Sequence, residues 1–249
     1  MSALLSHPLA FKISLFLLLV MLFGLLEWLW AARQIEWRKV LVRDLVAQVF
    51  GAFVVAKAAF HLNLWLHVQG APWPEAIEAW PFPVRLLLYL MVADFGAYWM
   101  HRLVHIGVLW RVHRWHHSPT HMYWLAGNRG SILQQALFNV PYILAGPLIS
   151  TSPWWMVSAL FILNALTNAW MHMNVRWKLG WLDWLLVTPR THEIHHSDNP
   201  AHYNSNFGVL LSVWDRMFGT YRSPKAVDSA ALKFGIPETV PLGRLVIGI

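Results

Sequence analysis

No cysteine occurs among the 249 residues. That removes disulfides, thiolate catalysis, cysteine-ligated zinc and iron–sulfur clusters from what this chain can do alone. Charge is scarce as well: charged side chains make up 12% of the sequence, about half the ~25% of an ordinary soluble domain. A water-facing surface of normal extent is hard to build from that. Acids are the scarcer sign, 12 against 19 lysines and arginines, for a net charge of +7. In a soluble protein this excess would raise the question of nucleic acid. Here the basic residues sit in short loops beside apolar runs rather than in a phosphate-tracking patch, so nucleic-acid binding is not expected.

What is abundant is apolar surface, tryptophan and histidine. Hydrophobic residues reach 57%, with 17 Trp, a residue that favours membrane–water interfaces. Phe11 to Trp30 reads as a first membrane span. It is about as long as a bilayer core requires and has no convincing cleavage site, so it is expected to be retained. A basic segment from Arg33 to Asp44 follows, with Arg33, Arg38, Lys39 and Arg43. A second apolar stretch, Leu45 to Leu66, is interrupted by Lys57 and His61. After a proline-rich loop with Glu75 and Glu78, Val84 to about His105 reads as a third span. A polar, His- and Arg-rich segment runs to Gly130. Ile132 to Ile149 and Pro153 to His172 form an apolar hairpin turned at Ser150-Thr151-Ser152-Pro153, its first arm expected to be bent or re-entrant at Pro141 and Pro147. The rest, from Arg176, is amphipathic.

Loop charge orients these spans. The basic loop after the first span belongs in the cytosol. Counting crossings from there puts Arg102, Arg111, Arg114, Arg129, Arg176, Lys178 and Arg190 on the same side. The expected fold is all-α: an integral membrane bundle of four or five spans under a cytosolic, histidine-rich helical cap. It divides into N-terminal spans and loop (1–83), a core (84–222) and a cytosolic tail (223–249).

All the histidine-rich segments land on that cytosolic side. They are His101 and His105; His113, His116 and His117; His172; and His192, His195 and His196. Residues three and four apart share a helix face, so each cluster can offer two or three imidazoles to a shared centre. Nine ligands exceed one first-row coordination sphere, and two metals sharing them is the economical reading. Neutral imidazole binds iron, copper and zinc well. It also leaves the positive charge of two dications uncancelled, which suits oxygen-derived anions between them. Isolated histidines near an interface are ordinarily plain polar residues, and His7, His61 and His67 are read so. His121 and His202 are open between ligand, hydrogen-bond partner behind a ligand, and surface group; the latter two are favoured.

Several stretches together resemble the fatty acid hydroxylase/sterol desaturase superfamily of membrane di-iron oxygenases. They run from Asp94-Phe-Gly-Ala-Tyr98-Trp-Met-His101-Arg-Leu-Val-His105 through Leu109-Trp-Arg-Val-His113-Arg-Trp-His116-His117-Ser118 and Trp170-Met-His172-Met-Asn174. Thr188-Pro189-Arg-Thr-His192-Glu-Ile-His195-His196-Ser197, Asn206-Phe-Gly208 and Trp214-Asp-Arg-Met-Phe-Gly-Thr220 complete them. The resemblance covers about residues 90 to 221. It implies two iron ions where spacing alone would also admit zinc, manganese or copper, the nine histidines as ligands, O2 as co-substrate, and a lipid C–H bond as target. Hydroxylation is favoured, desaturation on the same site is the alternative, and a non-catalytic membrane metal-binding protein is the remote one. Electrons are expected from a separate donor, a ferredoxin or a b-type cytochrome with its reductase, because no cysteine or fused haem domain supplies them here. The resemblance is to compact bacterial members, which implies an inner membrane with the site facing the cytoplasm.

Asp94, Tyr98, His101 and His105 share one helix face. A carboxylate at membrane depth is costly without a partner, so Asp94 or Tyr98 is expected to orient a ligand imidazole. Asn164 and Asn168, on the face of His172, are candidates to hold a histidine or line substrate entry, with polar helix packing equally open. Trp214-Asp215-Arg216 with Gly219 reads as a structural turn.

Overall fold

The computed structural model describes residues 8–51, 75–149 and 154–249. His7, Lys57, His61 and His67, most of the second apolar stretch and the turn at 150–153 lie outside them. Among the described residues the chain is helical and carries only isolated β-bridges.

Helix α1 (Pro8–Trp30) is followed by α2 (Trp37–Phe50), α3 (Phe82–Val104), the single turn α4 (Trp110–His113), α5 (Ile132–Ala145) and α6 (Trp154–Met171). Four short helices complete the order: α7 (Leu182–Leu185), α8 (Pro189–His195), α9 (Val213–Met217) and α10 (Leu242–Ile247). Boundaries follow local chemistry. Pro81 precedes α3, Pro83 sits in its first turn, and Gly107, at φ 52°, bends the chain soon after its end. Ser131 caps α5 by accepting from the Gln134 amide at 3.0 Å. Pro189 opens α8 inside a reciprocal cap, in which the Thr188 amide donates to the Thr191 hydroxyl at 2.9 Å and the Thr191 amide donates to the Thr188 hydroxyl at 3.4 Å.

Among the described residues, two helices are long and apolar enough to cross a membrane by length and composition: Ile13–Trp30 and Ile132–Ile149. The second passes through Pro141 as α-helix and tightens to a 3-10 turn at Gly146–Ile149, around Pro147. Pro141 packs against a glycine of α3. A Cβ on Gly96 would lie 2.7 Å from the Pro141 Cβ, so the bare backbone of α3 lets α5 approach closely. Helix α3 spans 23 residues but carries Arg85, Asp94, His101 and Arg102.

Three apolar clusters knit these helices together. Leu19 and Phe23 of α1 pack with Val40, Tyr123, Trp124 and Met173; Tyr89 and Ala93 pack with Ala145 and Leu148; Tyr98 packs with Phe207 and Trp214. Buried carboxylates act as staples between them. Glu27 of α1 accepts from the Trp124 and Asn174 amides, each at 2.8 Å. Asp44 of α2 accepts from the Tyr123 hydroxyl and pairs with Arg129. Buried acids are tolerated only when so bonded, and these two fix the segments leading away from His117 and from His172.

Candidate metal centre

Four elements deliver the histidines. The end of α3 carries His101 and His105. Helix α4 and the turn after it carry His113, His116 and His117. His172 follows the last residue of α6, and α8 with its cap carries His192, His195 and His196. All but His105 are buried. Their ring nitrogens gather into two groups: His101, His105, His113, His117 and His195 in one, and His116, His172, His192 and His196 in the other. Within each, one nitrogen per residue lies within 4.8 Å of all the rest. The groups adjoin, since the His117 and His196 rings stack at 4.3 Å between centroids.

The nine residues singled out by spacing are the nine brought together, but not cluster by cluster. Each His-x-x-His-His motif divides between the groups. The i, i+4 pairs His113/His117 and His192/His196 stay together, while His116 and His195 cross to the other group. On α8 the reason is angular, since i+3 and i+4 project to opposite sides of residue i, about 100° apart from each other; His116 and His117 lie past the end of α4. His121 and His202 lie outside both groups. His121 bonds Thr120, and His202 bonds the Ser197 hydroxyl at 3.0 Å.

The direct contact expected of Asp94 or Tyr98 with an imidazole does not occur. Asp94 accepts from the Leu210 and Leu211 amides and the Trp214 indole at 2.8–3.1 Å. Tyr98 bonds Thr220 at 2.9 Å and Arg102 at 3.3 Å. Main-chain carbonyls orient the rings instead. The Nδ1 of His101 faces the Phe207 carbonyl at 2.8 Å, that of His195 the Ser205 carbonyl at 2.8 Å, and that of His116 the Arg129 carbonyl at 3.3 Å. His172 reaches back 2.7 Å to the carbonyl of Asn168, so Asn168 holds a histidine through its backbone while its side chain donates to Asn128. Gly127 is required beside it, because a Cβ there would lie 2.3 Å from the His172 Nδ1.

These bonds fix protons. An Nδ1 facing a carbonyl must carry the hydrogen, leaving the Nε2 lone pair bare. His116 and His172 are both so committed, yet their Nε2 atoms face each other at 3.2 Å. Two bare lone pairs at that distance repel unless a cation lies between them. A second proton is no remedy, since burial pushes His116 well below the usual histidine range. The Nε2 of His192 also lies 3.1 Å from that of His172 and 3.0 Å from that of His196. In the other group the His101 and His113 Nε2 atoms are 3.1 Å apart, and those of His105, His117 and His195 have no hydrogen-bond partner. Nitrogens about 2.1 Å from one ion at near-right angles would be spaced like this. The donor sets contain imidazole and no carboxylate. His113, His117, His192, His195 and His196 are also held neutral, chiefly by burial and then by the neighbouring imidazoles, as ligands must be. The residues therefore fit one metal ion per group.

Two further features border the site. Glu193, between His192 and His195 on α8, is buried and pairs with Arg33 at 2.8 Å and Arg190 at 3.4 Å. A cavity of about 390 Å³ lies beside the ends of both motifs, with Arg33, His121, Met122, Asp198, Lys233 and Phe234 among its walls.

Spacing gave no hint of Gly127. Asp215, read as part of a structural turn, accepts from the Phe207 and Gly208 amides at 2.7 and 2.8 Å. It thereby braces the residue whose carbonyl holds His101. The available signal was an acid within an apolar motif in a chain poor in acids.

The family model described as fatty acid hydroxylase matches residues 86–220. Alkylglycerol monooxygenase of Xenopus tropicalis is 29% identical over 212 residues, 83% of this chain and 46% of its own length. Ornithine lipid hydroxylase OlsE of Rhizobium tropici is 34% identical over 178 residues, covering 70% and 51%. The Delta(7)-sterol 5(6)-desaturase of Eremothecium gossypii is 29% identical over 165 residues, covering 66% and 42%. The chain thus spans about half the length of the curated relatives it matches. No solved structure matches it.

Proposed function

The chain belongs to the fatty acid hydroxylase family, and from that premise we propose that it is a membrane-bound oxygenase that hydroxylates an unactivated C–H bond of a lipid or lipid-like substrate. The observation that carries the reading is the pair of buried, carboxylate-free imidazole groups, with bare lone pairs facing one another at 3.2 Å across His116 and His172. His101, His105, His113, His117 and His195 would hold one iron ion, and His116, His172, His192 and His196 the other. Bound there, the irons would supply the redox chemistry by which O2 attacks a C–H bond. The protein's own part is to keep the imidazoles neutral, hold the protons of His101, His116, His172 and His195 at Nδ1, and exclude water with the apolar walls around them.

A lipid substrate is supported by the names of the relatives, two of which are hydroxylases or monooxygenases of lipids. The cavity beside the motif ends, with Arg33, Lys233 and Asp198 among apolar side chains, suits the polar end of an amphipathic molecule. Desaturation on the same site is the second reading, favoured by the likeness to a sterol desaturase. Membrane residence is supported by the two apolar helices and by the uncovered face of α1 at Leu17, Leu18, Met21, Leu25 and Trp28. In this reading the bundle has four or five spans, and the basic loops hold the site at the cytoplasmic face of a bacterial inner membrane. Electrons would come from a separate ferredoxin or cytochrome, steered by the basic face.

The test pairs metal analysis with lipid profiling. Purified protein should hold two irons per chain. Cells carrying it should show, against cells carrying His116→Ala, an oxygen-dependent lipid gaining one oxygen. A product that has instead lost two hydrogens would make the chain a desaturase. Zinc retained with full activity under iron-replete growth would overturn the iron assignment, and no lipid difference would overturn the enzymatic one.

A further inference from the structure

We propose that the two metal groups are supported separately, and that Asp215 positions the five-histidine group alone through a peptide-bridged relay to His101. The inference rests on the two-metal reading above.

The segment from Asn204 to Asp215 provides both carbonyls that fix ring protons in that group: Ser205 for His195 and Phe207 for His101. Its backbone passes through the left-handed region at Asn204 (φ 57°) and Asn206 (φ 55°), conformations that persist only when surroundings enforce them. The enforcement is visible. The Asn206 side chain donates to the Thr191 and Arg222 carbonyls and accepts from the Arg222 amide, at 2.8–3.1 Å. Asp94 accepts from Leu210, Leu211 and Trp214. Asp215 accepts from Phe207, Gly208 and the Thr220 hydroxyl at 2.7–2.8 Å. Two buried carboxylates are thus committed to ordering one loop.

One of these bonds has a second consequence. The Gly208 N–H and the Phe207 C=O are the two ends of a single peptide unit. Asp215 Oδ2 takes the N–H end, and His101 Nδ1 donates to the C=O end. A carboxylate pulling on the amide hydrogen polarises the peptide, strengthens its oxygen as an acceptor, and so raises the basicity of the His101 Nε2. Gly208 permits this approach, since a Cβ there would lie 2.8 Å from the same carboxylate oxygen. The carbonyl of Ser205, serving His195, shares its peptide unit with the Asn206 amide. That amide donates to the neutral Thr220 carbonyl at 2.9 Å, so only His101 is coupled to a charge in this way.

The segment touches the four-histidine group only through the bond of Asn206 to the Thr191 carbonyl beside His192, and it supplies no carbonyl to a ring of that group. Its His116 and His172 bond the carbonyls of Arg129 and Asn168, and Arg129 is anchored by Asp44 on α2. Asp94 and Asp215 stand outside both donor sets and are positioning residues.

The experiment is a chelator titration of the iron-loaded protein, counting irons lost per chain, with 57Fe Mössbauer spectra before and after. Asp215→Asn should lower the affinity of one iron 10- to 100-fold, the range for lost support behind a ligand, and leave the other unchanged. Thr220→Val, which removes one of three bonds to Asp215 while keeping side-chain volume, should shift the same iron in the same direction by a smaller factor. If Asp215→Asn does not accumulate as folded protein, Thr220→Val decides alone. Both irons shifting together, or neither shifting, would overturn the separation. A count other than two in the unsubstituted protein would instead overturn the reading on which it rests.

Discussion

Gly127→Ala tests the metal centre through a single methyl group. The backbone at Gly127 is compatible with alanine, because its φ is not in the left-handed region. Reduced freedom in the unfolded chain would then favour the variant by ~0.4–1 kcal/mol. Packing opposes that gain. The new Cβ would sit 2.3, 2.6 and 2.7 Å from the His172 Nδ1, Cγ and Cε1, where ordinary contact begins at 3.4 Å. The ring must therefore move by about 3.4 − 2.3 = 1.1 Å. It is boxed in by His116, His192 and His196, so the move breaks the 2.7 Å bond to the Asn168 carbonyl and pulls Nε2 from its partners. Overpacking costs ~1–3 kcal/mol and the lost hydrogen bond ~1 kcal/mol, so the net sign is destabilising, by about 1–3 kcal/mol. The larger effect falls on the metal, with affinity in the four-histidine group reduced at least ~10- to 100-fold. Purified Gly127→Ala should hold one iron per chain and show strongly reduced lipid oxidation, while its metal-free form unfolds a few degrees below the unsubstituted protein. Retention of two irons at unsubstituted affinity would refute the packing argument and the role of His172 with it.

Three further outcomes follow from the same structure. Arg33→Met leaves Glu193, whose side chain is 4% exposed, with only Arg190 at 3.4 Å; thermal unfolding in detergent should show a loss of about 1–3 kcal/mol, short of a fully buried pair because Arg33 is partly solvated. Gly96→Leu should cost ~1–3 kcal/mol or more by forcing α3 away from Pro141, with Gly96→Ala milder; equal melting temperatures for both variants and the unsubstituted chain would contradict the close approach. The metal-free protein should be acid-sensitive. His113, His116, His117, His192, His195 and His196 have folded pKa values well below the ordinary one because burial penalises the cation. The unfolded chain therefore binds more protons below about pH 6.5, the unfolded value. The stability held by these neutral rings is fully present above that pH and falls as the pH drops toward the folded values, which a melting series from pH 8 to 5 would register.

The gathering of the nine histidines was legible in the sequence because most of its information is local. Helical spacing places i, i+3 and i+4 residues near one face, and His101/His105, the two His-x-x-His-His motifs and His172 need only be brought to one end of a bundle to meet. Loop charge predicted that common end. The partition was not legible. His116 leaves its neighbours for the group of His172 because α4 is a single turn and the chain past His113 is held by the Arg129 carbonyl, a contact that depends on Asp44 some 85 residues earlier. Asp94 illustrates the same limit. Its cost at depth correctly marked it as partnered, but the cheapest partner was an ordered loop more than a hundred residues away, and no periodicity in α3 points to it.

The sequence by itself determined the chemistry available: no thiols, few acids, and eight histidines at helical spacing, with His172 alone, beside apolar runs. These are properties of residue type and short-range geometry, and they hold however the helices pack. Tertiary structure alone decided which imidazoles gather together, which nitrogen of His101, His116, His172 and His195 carries its proton, and which acids brace the segments around them. Each of those depends on main-chain carbonyls and amides, which every residue has and no sequence motif distinguishes until the fold brings one of them within about 3 Å of a ring.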